Sequence, residues 1–132
     1  MFKLFGKTKL YFGIAKVMEE KLPTLSFRTR LELRSWLQFN YATSSGIWVQ
    51  LFKKRSDIAS IGFEELLDEG LCFGWSESIR HSFDEQSYLQ KFTPRRSNGT
   101  ASERNKAHIK RLIRVGLMTE AGLAVLTEGK EY

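Results

Sequence analysis

Cysteine is almost missing from this 132-residue sequence. Cys72 stands alone, so no intrachain disulfide can form, which agrees with a reducing compartment. Two prolines and ten glycines exclude collagen-like or Pro-rich low-complexity character. No apolar run approaches the roughly 18–20 residues that a membrane-spanning helix requires. Near the start, the run from Leu10 to Ala15 stops at Lys16. A secretory signal needs roughly 7–15 apolar residues and a small-residue cleavage site, so the expected location is the cytoplasm.

Histidine is scarce too. His81 and His108 lie 27 positions apart with no Cys or His pair beside either, so no zinc-type spacing exists and no metal is expected. The patterns G-x-S-x-G, G-x-x-x-x-G-K-[ST] and G-x-G-x-x-G do not occur, and no cofactor is expected. Cys72 and His81 are a conceivable nucleophile pair, but Leu71-Cys72-Phe73 is an apolar context that suits an inert, packed thiol. Glu77 and Asp84 are the remaining acid/base candidates. With no nucleophile or cofactor motif beside them, an enzyme is the least supported reading, and no catalytic residue is assigned.

What is present is material for one core. Hydrophobic residues make up 42% and aromatics 13%, enough for a single folded domain at this length. Residues 1–21 read as an N-terminal extension, because their apolar positions fit neither the helical nor the strand period. Residues 22–132 read as one domain.

Thr29-Arg30-Leu31-Glu32 is a capping box, followed by Leu33, Trp36, Leu37 and Tyr41 along one helical face. Thr43–Gly46 is a loop, and Ile47–Phe52, rich in β-branched and aromatic residues, a strand. A second helix runs from about Gly62 to Phe73, with Phe63, Leu66, Leu67 and Leu71 inward and Glu64, Glu65, Asp68 and Glu69 outward. Gly74 ends it. Strands at Ser78–Phe83 and Tyr88–Thr93 flank a turn near Asp84-Glu85, and Pro94 closes the second. Ser102 caps a third helix with Ile109, Leu112 and Ile113 inward and Lys106, Lys110, Arg111 and Arg114 outward, and Gly116 stops it. Thr119 caps a short last helix. The expected fold is α+β: a small three-stranded antiparallel sheet packed with about four helices.

Charge is segregated within a net +6. From Gly62 to Ser87 there are seven acids and one base; from Lys91 to Arg114, eight bases and one acid, Glu103. The basic loop and helix could hold an anion or contact nucleic acid through Lys106, Lys110, Arg111 and Arg114. The plainer alternative is two solvated, mutually compensating helices.

Several segments carry a family resemblance. Leu71-Cys72-Phe73-Gly74-Trp75, Phe92-Thr93-Pro94-Arg95-Arg96, then Ser102, Asn105, and Gly116-Leu117-Met118-Thr119 with Gly122 resemble, in order, motifs of the YdeI/OmpD-associated proteins. The likeness reaches back to Phe27, Arg30, Arg34, Trp36-Leu37 and Ile47-Trp48. This sequence departs from the family at Ser76-Glu77 (Ile-Asp in the family), Ala101 (Trp) and Leu117 (Arg), and lacks the family's usual C-terminal helical region. The resemblance implies a small non-catalytic bacterial protein, associated with bacteriocin or antimicrobial-peptide stress protection, whose partner is a protein or an anionic or peptide ligand. The candidate ligand site is Trp75, Glu77, Arg95, Arg96, Ser102 and Asn105. Glu77 would orient an arginine, and Ser102 and Asn105 would sit at a helix start. The competing structural reading makes Trp75 and Phe92 core, Glu77 half of a fold-fixing ion pair, and Ser102 a cap.

Overall fold

The computed structural model describes residues 21–95 and 103–127. Arg96 and Ser102, like residues 1–20 of the expected 1–21 extension, lie outside the described residues. The elements run β1 (Thr24–Leu25), α1 (Arg30–Asn40), β2 (Ile47–Phe52), α2 (Phe63–Phe73), β3 (Trp75–Ser82), β4 (Ser87–Pro94), α3 (Glu103–Arg114) and α4 (Glu120–Thr127).

The fold is α+β, but the sheet is not the expected three-stranded antiparallel one. It has four strands in the order β1-β2-β4-β3 and is mixed. The added strand is Thr24–Leu25, which pairs parallel with Trp48 and Val49. Two residues carry no readable alternation, so nothing local marks them as a strand. Their direction follows from α1, which supplies the crossover a parallel pair needs. The Pro23 carbonyl fastens the edge by accepting the Trp48 N–H at 2.8 Å.

The local signals explain most other boundaries. Thr29 Oγ1 accepts from the Glu32 N–H at 3.2 Å. Glu32 reaches one residue past the cap, to the Arg28 N–H at 2.7 Å, so the box closes on the N′ position. Gly74 ends α2 in the left-handed region at φ 76°, a conformation that costs other residues a Cβ clash. β3 therefore starts at once, at Trp75, three residues before the expected Ser78. Gly116, at φ 80°, ends α3 in a Schellman-type turn, with the Leu117 N–H returning to the Leu112 carbonyl at 3.0 Å.

Strand register sorts the faces. Ile47, Val49 and Leu51 pair with Phe92, Gln90 and Tyr88, and Glu77 stands opposite Phe92. This face meets the helices, and Ile47, Val49 and Phe92 are fully buried with Leu33, Leu37, Leu66, Leu71, Ile109 and Leu112. The other face carries Trp48, Gln50, Leu89 and Lys91, with the His81 ring 5.1 Å from that of Trp48.

α2 is the hub. It packs on α1, β3, α3 and α4, and every residue from Leu66 to Phe73 is buried. Gly70 permits the close approach to the sheet, since a Cβ there would lie 2.9 Å from the Phe92 ring. This central position overturns one expectation. Asp68 and Glu69 point inward, because α2 is enclosed on more sides than its leucine stripe reveals.

Candidate functional site

The exit of α2 and the end of the hairpin meet. The Arg95 N–H donates to the Gly74 carbonyl at 2.9 Å, extending the β3–β4 ladder by one pair. Antiparallel alternation then leaves Pro94 at a position that owes no donor to β3, so a proline fits there. Glu77 and Arg95 are thus carried to one corner of the sheet.

Trp75 does not face that corner as a ligand platform. It is 1% exposed, packs on Phe92 and Trp36 at 5.0 and 5.7 Å, and donates its indole N–H to the Tyr41 carbonyl at 3.3 Å. Its polar handle is spent on the fold, as the structural reading expected. Asn105 lies half-buried in the first turns of α3 and is already engaged.

Glu77 and Arg95 differ from these. Glu77 Oε2 and Arg95 Nε are both buried, and neither has a hydrogen-bond partner among the described residues. Burial pushes the Arg95 guanidinium below its ordinary value, and the Glu77 carboxylate only partly offsets this by favouring the charged form. A buried polar atom without a partner costs about 1–3 kcal/mol, so this corner holds unused hydrogen-bonding capacity. It holds an acceptor on β3 and a donor just past the end of β4, both beneath the surface.

The basic helix is less available than its sequence suggested. Arg111 Nη2 donates to Asp68 Oδ1 at 2.8 Å and lies 2.9 Å from His108 Nδ1, so it belongs to an internal network. Lys106 is half-buried and engaged, which leaves Lys110 and Arg114 as the exposed cations of the expected nucleic-acid set.

The same network holds the residues that sequence reasoning missed. Glu69, with no exposed surface, accepts from Arg30 Nε at 2.5 Å and Arg34 Nη1 at 2.8 Å. Arg34 also donates to the Leu117 carbonyl at 2.7 Å. Arg30 Nη1 lies 3.8 Å from Asp68, and its buried Nη2 has no partner among the described residues. Burial acts to lower the Arg30 pKa, but the Glu69 hydrogen bond and the charges of Glu69 and Asp68 outweigh it and raise the net value. Three helices are thereby joined through charge. The one sequence signal was the i,i+4 spacing of Arg30 and Arg34 on α1, which says nothing of partners 35 to 39 residues away.

Cys72 is buried between these groups. Desolvation, with the nearby Glu69 charge, pushes its thiol up to about 11, so it is protonated and inert at neutral pH. Among the described residues, no group of three or more His, Cys, Asp or Glu is placed to hold a metal ion. Among the same residues, no helix is long and apolar enough to cross a membrane.

Fold and site together define an α+β domain with helices on one sheet face and a polar corner at one end of the sheet. Residues 25–125, from β1 into α4, match the family model of DUF8412, a domain of unknown function, and the chain belongs to that family. No curated protein and no solved structure matches it.

Proposed function

We propose that the protein binds a peptide ligand at the Glu77–Arg95 corner without catalysing a reaction. In keeping with its resemblance to the YdeI/OmpD-associated proteins, it would serve in bacteriocin or antimicrobial-peptide stress protection in the cytoplasm. One observation carries the reading: two buried polar atoms of opposite hydrogen-bonding sense, unpartnered among the described residues, one on β3 and one just past β4. A backbone amide supplies the matching pair, with its N–H for Glu77 Oε2 and its carbonyl for Arg95 Nε. A simple anion would satisfy the guanidinium but leave the carboxylate oxygen worse off, which favours a peptide over a small anionic ligand.

The test is a calorimetric titration with an end-capped octapeptide of alternating lysine and leucine, and with its aspartate–leucine counterpart. The lysine peptide should bind, Arg95→Gln and Glu77→Gln should each weaken it at least tenfold, and both variants should fold normally. No heat with either peptide, or equal binding by Arg95→Gln, would contradict the proposal. Loss of folding in either variant would show that the pair serves the fold instead.

A further inference from the structure

Among the described residues β3 is the outermost strand on one side of the sheet, and its residues from Ser78 to Ser82 are exposed. Such an edge presents unpaired N–H and C=O groups, and natural proteins usually blunt it with charge or proline. Here the flanking side chains are instead apolar: Ile79 is 50% exposed and Phe83 56%. The strand's own cation is turned away. Arg80 lays its guanidinium over the Tyr88 ring at 4.3 Å and the Phe63 ring at 5.4 Å, on the helix-covered side.

We infer that a second copy of this chain covers this edge, antiparallel, about a two-fold axis through His81. In such a pair, opposed residues must share a sheet face, so the axis can pass only through a residue. An axis at Arg80 sets two arginines opposite each other. An axis at Ser82 sets Ile79 against Glu85. The axis at His81 sets Ile79 of each copy against Phe83 of the other and Arg80 against Ser82, and joins apolar side chains to each other with no charge repulsion at its centre. The product joins the described strands of both copies into one eight-stranded sheet, with the described helices on one face. The register shift between Glu77 and Arg80 limits the regular ladder to Arg80–Ser82, so Ile79 and Phe83 meet just beyond its two ends, the contact is short and the dimer depends on concentration.

Sedimentation equilibrium of the full chain over about 5–500 μM tests this. The mass should rise from 15.3 kDa towards twice that value. Ile79→Lys and Phe83→Lys should each raise the dissociation constant at least tenfold, with circular dichroism unchanged. His81→Cys should form a disulfide-linked dimer under mild oxidation, because opposed strand residues have Cα atoms about 4.5–5.5 Å apart, within disulfide range. Cys72 is buried and does not compete. A constant 15.3 kDa across the range would overturn the inference. So would a dimer indifferent to both lysine variants but broken by Phe39→Lys, which would place the contact on the exposed face of α1.

Discussion

The buried carboxylate of Glu69 gives the sharpest quantitative test of the structure. Glu69→Gln keeps the volume of the side chain but removes its charge and turns one acceptor into a donor facing a guanidinium. Of the bonds from Arg30 Nε and Arg34 Nη1, one is lost and the other is left on a neutral amide oxygen, in a group with no exposed surface. Breaking one side of a buried pair costs about 3–5 kcal/mol. Two features pull the figure to the low end: Arg30 keeps Asp68 at 3.8 Å and is 30% exposed, and Arg34 keeps the Leu117 carbonyl. The expected loss is about 3 kcal/mol, a large part of the 5–15 kcal/mol a domain of this kind holds. With a urea m-value of about 1.5 kcal/mol/M, the unfolding midpoint should fall by about 2 M. Replacing the Glu69–Arg34 pair, in Arg34→Met with Glu69→Met, should recover part of that loss, because no stranded charge is left at Arg34 while Arg30 keeps Asp68. A fall below about 1 kcal/mol in Glu69→Gln would refute the reasoning, since that is the value of a solvated surface pair.

Two further outcomes follow from neighbouring contacts. In Gly122→Ala the added Cβ runs into the Cys72 carbonyl oxygen, the acceptor that also holds Thr119 Oγ1, so α4 must lift from α2. Thermal unfolding should show a loss of about 2–3 kcal/mol, and an unchanged midpoint would contradict the packing of α4. For Cys72, the folded-state pKa of about 11 lies above the ordinary value of 9.0. Its contribution to stability is therefore full below pH 9 and is lost as pH rises towards 11, since the unfolded thiol ionises first. Labelling by a thiol-specific reagent at pH 8 should keep pace with global unfolding, and rapid labelling of the native protein would show the thiol to be open.

Much of the fold was legible because its signals are local. The Thr29 cap, the alternating Ile47–Phe52 segment and the glycines at 74 and 116 each act through a few adjacent residues. Thr24–Leu25 was not legible, since a two-residue parallel strand exists only through its partner β2. Charge on a helix usually faces water, so the sequence alone points Asp68 and Glu69 outward; their burial is decided by arginines on α1 and α3, far away in sequence. Ile113, expected inward, is 37% exposed, because α3 rests on α2 along Ile109 and Leu112. At the candidate site, the motif order groups Glu77 with Arg95, and the structure joins Arg95 to Gly74 at the end of α2. The motif order could not show that Trp75 spends its indole on Tyr41, since that bond spans 34 residues.

The peptide-binding claim is tested most directly by amide chemical-shift mapping of the lysine–leucine octapeptide on the uniformly labelled chain. Shifts concentrated at Gly74–Glu77 and Thr93–Arg95, and abolished in Arg95→Gln, are the predicted result. A titration that moves only amides remote from that corner, or none at all, would contradict it.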